Sequence, residues 1–244
     1  MRFTNKICLV TGGTSGIGRA VCVRLGAEGG TVIALGRDKA EGAATVKIIT
    51  KAGGKAVFMA CNLAKPAVIA ATVKKVVAKY ERIDVLVCDA AMMTFEHLVD
   101  LPLPKWDLLM LVNLRSLAQF TQLCLPHMLV GSAIVAISSV HAHQTTANVV
   151  PYATSKGAME AFVRGMSIEL NRRQTRINAV APGAVDTPML WSNPNVKSGA
   201  EKIDKASVGT PEELAAAIAF MASSDASFIH GTTLVVDGGR LAQL

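Results

Sequence analysis

The chain has 244 residues, of which 51% are hydrophobic and 18% charged, so it can bury a substantial core and is not a disordered chain. The formal net charge is +7, but the basic residues are scattered and aromatic residues make up only 5%, so we expect no nucleic-acid partner. No apolar run approaches the roughly 20 residues that span a bilayer, and a strand follows the N-terminus directly, so we expect no signal peptide, no membrane partner and a cytoplasmic location.

Short apolar, β-branched runs alternate with longer helical patterns along the whole chain. Seven runs are predicted to be strands: Ile7–Val10, Thr31–Leu35, Ala56–Met59, Val85–Cys88, Ala133–Ile137, Ile177–Val180 and Thr233–Val236. Helical patterns of about ten residues or more separate most of them. This alternation predicts an α/β fold: a single domain over residues 1–244 with a doubly wound, Rossmann-type parallel sheet of seven strands and helices on both faces.

A glycine-rich turn follows the first predicted strand. It reads Thr11-Gly12-Gly13-Thr14-Ser15-Gly16-Ile17-Gly18 and leads into a helical pattern. The start of that helix directs unpaired N–H groups and a partial positive charge at any anion bound there. Such turns also serve as plain connections, but the strand–turn–helix context predicts a site for a dinucleotide pyrophosphate.

The end of the second predicted strand indicates which dinucleotide binds. This strand ends at Gly36-Arg37 and carries no acidic residue to accept the 2′-hydroxyl of an adenosine ribose. The guanidinium of Arg37 suits a 2′-phosphate instead, which favours NADP(H) as the cofactor. The alternative is a surface arginine paired with Asp38.

Tyr152 and Lys156 are four residues apart and therefore share one face of a helix. The ammonium group is expected to favour the phenolate and lower the pKa of Tyr152, so that the phenol exchanges a proton with an oxygen atom. The spacing alone is weak as a motif. Together with the glycine-rich turn, it predicts hydride transfer between a nicotinamide and an alcohol or ketone.

The stretch from Thr187 to Ser207 is the one long irregular segment, and we expect it to cover the substrate. His141, Met189 and Trp191 are candidates for the substrate pocket, whereas His143 is expected at the surface. We expect no metal site, because neither the histidines nor the five cysteines have metal-ligand spacing.

With these motifs in this order, the chain resembles the short-chain dehydrogenase/reductase family, in its compact single-domain branch. The similarity runs the full length and includes Pro182-Gly183 after the sixth strand and Asp237-Gly238-Gly239 near the end. Two positions depart from the family pattern. Cys88-Asp89-Ala90-Ala91 replaces the usual Asn-Asn-Ala-Gly, and Asn62 replaces an Asp that meets the adenine amino group.

The resemblance implies roles for individual residues. Tyr152 would exchange the proton, Ser139 would orient the substrate oxygen, Asn113 would bind a water that relays protons from Lys156, and Lys156 would also hold the ribose. The cofactor would contact Gly12, Thr14, Ser15, Gly16, Ile17, Gly18, Arg37, Asn62, Leu63, Asp89, Ala90, Tyr152, Lys156, Pro182, Gly183, Val185 and Thr187. The family also implies a homo-oligomer, a tetramer, that pairs through helices at Lys105–Leu129 and Pro151–Arg173.

The leading functional prediction is an NADPH-dependent carbonyl reductase that also works as an alcohol dehydrogenase on a small-molecule substrate. A rival within the family is a 3-oxoacyl-[acyl-carrier-protein] reductase, for which Arg172-Arg173 could dock the acidic carrier. The loop expected at residues 127–132 has no Lys or Arg for that purpose. A rival from another class is a non-catalytic NADP-binding regulator, although such proteins usually lack the Tyr or Lys that this chain keeps.

Overall fold

The computed structural model describes residues 1–172, 174–204 and 207–243. Within them, seven parallel strands form one sheet in the order β3-β2-β1-β4-β5-β6-β7. The strands are β1 (Ile7–Thr11), β2 (Thr31–Gly36), β3 (Lys55–Ala60), β4 (Ile83–Cys88), β5 (Met128–Ile137), β6 (Thr175–Pro182) and β7 (Thr233–Val236). The prediction of a doubly wound parallel sheet is confirmed, since each predicted strand lies within an observed one.

Helices connect the strands and cover both faces of the sheet. The longer ones are α1 (Gly16–Ala27), α2 (Lys39–Lys51), α3 (Pro66–Tyr80), α4 (Leu103–Met110), α5 (Ser116–Cys124), α6 (Val150–Glu169) and α9 (Pro211–Ala222). Two short helices, α7 (Pro188–Ser192) and α8 (Pro194–Ser198), follow β6. Local sequence explains several starts. Asp38 accepts a hydrogen bond from the Glu41 N–H ahead of α2, and Thr210 and Glu213 form a capping box ahead of α9.

The core consists of two apolar layers, one on each face of the sheet. Alternate residues of β1 point to opposite faces: Cys8 and Val10 join the layer under α1 and α9, whereas Ile7 and Leu9 join the layer under α3, α5 and α6. All five residues of β1 are buried, as expected for a central strand of a parallel sheet covered on both sides.

The strand order places the ligand crevice. The sheet runs from β1 outward in two directions, to β2 on one side and to β4 on the other. At this switch point the connections that follow β1 and β4 diverge to opposite faces, which opens a crevice at the carboxyl ends of these strands. The glycine-rich turn lies in the connection after β1, and Asp89 directly follows β4.

Two predicted segments differ from the structure. The stretch expected as a loop at residues 127–132 belongs largely to β5, which begins at Met128, so the helix expected at Lys105–Leu129 ends earlier. That helix comprises α4, a π-helical turn (Leu111–Arg115), α5 and a final 3₁₀ turn (Leu125–His127). Met128 pairs with Ile83 of β4, and after an irregularity in the β4 register the ladder resumes at Ser132 with β6 and at Ala133 with β4.

The segment expected to be irregular from Thr187 to Ser207 contains α7 and α8, each with a proline in its first turn. Thr187 and Asn193 cap these helices through their side chains. Residues 205 and 206 of this segment lie outside the described residues, as does Arg173, the last residue of the second helix predicted for subunit pairing. The described part of that helix is α6, which ends at Glu169.

One helical segment, Leu103–His127, is long and apolar enough to cross a membrane by length and composition. The sequence-based expectation that no segment reaches this length is therefore wrong. In the structure this segment packs against α3, α6 and the sheet, as a core helix of a doubly wound fold does.

Candidate active site

A cavity of about 590 Å³ opens at the carboxyl ends of the central strands. Every residue predicted to bind the cofactor lines it, with the exception of Gly18. Ser139, Tyr152 and Lys156 line the same cavity. The structure therefore brings the glycine-rich turn and the predicted proton-transfer residues to one site, although more than 100 residues separate them in the chain.

The glycine-rich turn forms a close cradle behind the cavity. Gly12 adopts a φ of +72°, which a residue with a side chain rarely adopts. A Cβ on Gly18 would lie 2.7 Å from the Asp89 carboxylate and closer still to the Gly12 carbonyl oxygen. Gly18 thus lets α1 pack tightly against the turn, and the first residues of this helix direct their N–H groups at the cavity.

Arg37 follows β2 at the rim of the cavity, and its side chain is exposed. The alternative of an Arg37–Asp38 pair is not observed among the ion pairs of the described residues. Instead, the Asp38 carboxylate accepts the Glu41 N–H at 3.0 Å and caps α2. The guanidinium of Arg37 is therefore placed to meet an anion at the cavity rim.

The side chain of Asn62 stabilises the turn after β3. Its amide oxygen accepts the Ala64 N–H at 3.0 Å, and the residue lines the cavity. A carbonyl oxygen has two lone pairs, so a second acceptor position remains for the adenine amino group predicted there.

The segment after β4 holds the residues that depart from the family pattern. Ala91 lines the cavity and is not among the residues with a positive φ, so its backbone conformation does not require glycine. The N–H groups of Asp89 and Ala90 both donate to the Thr11 hydroxyl, at 3.1 and 3.2 Å. Burial raises the pKa of the Asp89 carboxyl, while Lys156 and a hydrogen bond from the Gly18 N–H act in the opposite direction.

Tyr152 and Lys156 lie in the first two turns of α6, and both are buried. The Lys156 ammonium donates to the Ile137 carbonyl at 2.6 Å and lies 5.4 Å from the centre of the Tyr152 ring. Burial lowers the pKa of Lys156, and Asp89 raises it. The Ser139 hydroxyl accepts the His141 N–H at 3.2 Å.

The expectation that Lys156 lowers the pKa of Tyr152 is wrong for this structure. Burial raises the pKa of Tyr152 to about 12, a hydrogen bond with Ser139 lowers it, and the Asp89 charge raises it further. The effect of burial on the phenol is the largest of these, and the hydrogen bond of the Lys156 ammonium goes to the Ile137 carbonyl.

Asn113 lies in the π-helical turn between α4 and α5 and is buried. Its amide oxygen accepts the Met92 N–H at 2.9 Å, and its amide nitrogen donates to the Met92 carbonyl and to the Ser155 hydroxyl, both at 3.0 Å. Asn113 therefore fixes the segment after β4 against α6. Its predicted part in a proton relay stays a prediction.

The substrate end of the cavity is partly as predicted. His141 and Met189 line it, and the His141 ring makes an edge contact with Tyr152 at 5.8 Å between ring centres. Trp191 does not line the cavity. Its indole N–H donates to Asp186 at 2.6 Å, and its side chain is exposed. His143 is exposed, as expected, and lies 3.3 Å from Glu160.

Two residues that line the cavity were not predicted from the sequence. Glu201 and Arg240 both line the cavity and form an ion pair at 2.9 Å. Asn193 also donates to Glu201, at 3.3 Å. Neither charge belongs to a recognisable motif, and 39 positions separate them in the chain, so the sequence contains no signal for this pair.

No group of three or more His, Cys, Asp or Glu side chains that could hold a metal ion is found among the described residues. The five cysteines are free and buried. Burial raises the pKa of the thiols of Cys8, Cys22, Cys88 and Cys124, which keeps them neutral.

Several known proteins resemble the chain over nearly its whole length. A family model described as enoyl-(acyl carrier protein) reductase matches residues 12–240. A 3-oxoacyl-[acyl-carrier-protein] reductase of Thermotoga maritima is 36% identical, covering 98% of this chain and 99% of that protein. A 3beta-hydroxysteroid dehydrogenase of Mediterraneibacter gnavus is 33% identical, covering 98% and 95%. A Burkholderia cenocepacia short chain dehydrogenase solved in complex with NADP superposes with a TM-score of 0.91 at 29% identity, covering 98% of both chains.

Proposed function

Because the chain belongs to the short-chain dehydrogenase/reductase family and is an oxidoreductase, we propose that it transfers a hydride between NADP(H) and a ketone or secondary alcohol. The observation that carries this proposal is the convergence of Ser139, Tyr152 and Lys156 on the cavity that the glycine-rich turn borders. NADP(H), when bound, supplies or accepts the hydride.

The residues around the cavity fit this cofactor. The pyrophosphate would lie against the turn at Gly12–Gly18, where the start of α1 supplies N–H donors and the missing side chains leave room for close approach. Leu63, Ala90 and Val185 offer apolar surface along the cavity. The Lys156 ammonium would bind the ribose hydroxyls.

Tyr152 is the proton donor and acceptor of the proposed reaction. With a pKa of about 12 the phenol is protonated at neutral pH, which is the form that donates to a carbonyl oxygen during reduction. The Ser139 hydroxyl, which lines the cavity with Tyr152, would donate to the same oxygen and orient it. Alcohol oxidation needs the phenolate and should become faster as the pH rises.

The preference for NADPH over NADH rests on Arg37. This residue is exposed at the cavity rim after β2, and the neighbouring acid Asp38 is engaged in capping α2. A guanidinium in this position can make charge-assisted hydrogen bonds to a 2′-phosphate, which NADH lacks.

A 3-oxoacyl-[acyl-carrier-protein] reductase is the second candidate, favoured by the relative from Thermotoga maritima. Against it, the segment 127–132 lies mainly in β5 and carries no Lys or Arg. Arg172 donates to the Ser227 carbonyl at 3.2 Å and lies over the Phe228 ring, so it is engaged within the chain. Arg173 lies outside the described residues. We therefore retain a free ketone as the leading substrate class.

A non-catalytic NADP-binding regulator is the remaining alternative. Tyr152, Lys156 and Ser139 line the cavity together, which a regulator does not need.

We further propose a cytoplasmic homotetramer without nucleic-acid or membrane partners. Self-association is supported by an apolar groove on α4, α5 and α6, lined by Met110, Leu111, Leu114, Ala118, Ala158 and Phe162 together with Asp107 and Arg115.

The test is NADPH consumption by the purified protein with a panel of simple ketones, β-ketoesters and 3-oxoacyl thioesters. Reduction of free ketones supports the leading proposal. Reduction confined to acyl thioesters favours the second candidate. NADPH binding with no consumption on any carbonyl compound would favour the regulator.

A further inference from the structure

Glu160 is a buried acid that the proposed reaction does not use. It lies on α6 one helical turn after Lys156, and therefore on the same face of the helix. Its carboxylate accepts the Ser138 hydroxyl at 2.7 Å, a typical length for an O–H···O hydrogen bond. The His143 ring lies 3.3 Å from the same carboxylate oxygen. Because acids are rarely buried without partners, these two contacts explain how Glu160 can lie inside the fold.

Ser138 joins this acid to the residues that carry the proposed chemistry. It directly follows β5 and immediately precedes Ser139. Its hydroxyl also lies 3.4 Å from the Lys156 carbonyl oxygen, and its N–H donates to the Val180 carbonyl of β6 at 2.7 Å. The end of β5 is therefore held by β6 through the main chain and by α6 through the Ser138 side chain.

A second contact between β5 and α6 lies one residue earlier in the chain. The Lys156 ammonium donates to the Ile137 carbonyl at 2.6 Å. Ser138 and Lys156 are both buried, so solvent does not compete for either hydrogen bond. The two bonds join consecutive residues of the strand end to residues one helical turn apart on α6. Ser139 is the next residue in the chain, so its hydroxyl moves with this strand end.

We propose that Glu160 is a positioning residue: through the Ser138 hydroxyl it holds the end of β5 against α6, and so sets where the Ser139 hydroxyl meets the substrate oxygen. This inference rests on the proposed function, because the place of Ser139 affects turnover only if the site reduces a carbonyl or oxidises an alcohol. A displacement of about 1 Å in such a group costs up to about a hundredfold in rate. Glu160 thus contributes to turnover although it does not line the cavity.

The kinetic test compares Glu160→Leu with Glu160→Gln. Leucine accepts no hydrogen bond, whereas the amide oxygen of glutamine can still accept the Ser138 hydroxyl. With a ketone that the parent reduces, we expect kcat to fall by about tenfold in Glu160→Leu and to return close to the parent value in Glu160→Gln. Glu169→Leu, which changes an exposed acid on the same helix, is the matched control and should leave kcat unchanged.

NADPH affinity, measured by fluorescence titration, should stay near the parent value in both Glu160 variants. In the part of the chain that the structure describes, Ser138 and Glu160 share no hydrogen bond with the glycine-rich turn or with Arg37. A fall in kcat without a fall in affinity indicates a displaced Ser139, whereas an equal fall in both would overturn the inference.

A double-mutant cycle assigns the effect to one hydrogen bond. Ser138→Ala removes the donor and should lower kcat by about as much as Glu160→Leu. Combining the two should cost no more than the larger single loss, since both remove the same contact. An unchanged kcat in Glu160→Leu, equal losses in Glu160→Leu and Glu160→Gln, or fully multiplied losses in the double variant would overturn the inference.

Hydrogen exchange without substrate separates this inference from the proposed function. In Glu160→Leu, the Ser138 amide should exchange faster than in the parent, while β2 should exchange at the parent rate. Glu160→Gln should restore slow exchange at Ser138. If exchange changes in this way but the parent converts no carbonyl compound or alcohol, the proposed function fails and the contact of Glu160 with the end of β5 stands. Unchanged exchange at Ser138, or faster exchange throughout the chain, would overturn the role of Glu160.

Discussion

Truncation of Arg37 to Ala tests whether this guanidinium binds the 2′-phosphate of NADPH. At about 4 Å, a pair of unit charges attracts by about 1 kcal/mol in bulk water and by about 4 kcal/mol near a protein surface. Because Arg37 is exposed at the rim of the cavity, its contribution should lie between these two values and below the upper one. We expect the loss to be about 1.4–2.7 kcal/mol, which raises the KM for NADPH by about ten- to a hundredfold.

The assay compares NADPH with NADH for the parent and for Arg37→Ala. NADH lacks the phosphate, so its KM should stay nearly constant, and the gap between the two cofactors in the parent should narrow as salt is added. Lys47→Ala is the matched control, because it removes an exposed positive charge from α2 outside the cavity lining. Equal losses for both cofactors in Arg37→Ala would show that the residue is structural, and a parent that prefers NADH would refute the cofactor assignment.

Three further predictions concern the packing, the ion pairs and the assembly of the fold. Gly18→Ala should destabilise the protein by about 1–3 kcal/mol in chemical denaturation, because the added Cβ would meet the Gly12 carbonyl and the Asp89 carboxylate. The control Gly165→Ala should not destabilise the protein, because a Cβ at Gly165 meets nothing within 4 Å. Equal stability of the two variants would contradict this prediction. Hydrogen bonds with Arg2 lower the pKa of Glu28 to about 2, so this group stabilises the fold above its unfolded pKa of about 4.3 and loses that contribution as the pH falls towards 2. Glu28→Gln should therefore lower the free energy of unfolding by about 1–2 kcal/mol at neutral pH, allowing for solvent screening. The difference in unfolding free energy from the parent should shrink in acid. A difference that does not change with pH would show that the charge of Glu28 does not stabilise the fold. Light scattering at micromolar concentration should give about four times the chain mass of 25.6 kDa, and a monomer would refute the tetramer.

The sequence predicts the fold well because its signals are local. A run such as Ile7–Val10 followed by glycines and a helical pattern predicts strand, turn and helix whatever the rest of the chain does. The prediction failed at Met128–Ser132, where pairing with strands distant in sequence decides the structure. It was also incomplete after Thr187, where two short helices depend on capping by single side chains.

In the candidate site, too, the sequence predicts some residues but not others. Tyr152 and Lys156 could be found because they form a motif with fixed spacing, and Ser139 because the family resemblance implies its role. The pKa of Tyr152 could not be predicted from the sequence, since it depends on burial and on Asp89, which follows a strand distant in the chain. Likewise, the pair of Glu201 and Arg240 results from the fold of two segments that carry no pattern.

The most direct test of the proposed function is Tyr152→Phe, which keeps the ring and removes the exchangeable proton. With a ketone that the parent reduces, kcat for NADPH oxidation should fall by at least about a hundredfold, the size of a general acid contribution. NADPH affinity, measured by fluorescence titration, should stay at the parent value, because the ring still fills its place beside Ser139 and His141. Turnover within about tenfold of the parent would contradict Tyr152 as the proton donor, and with it the proposed reduction of a carbonyl group at this site.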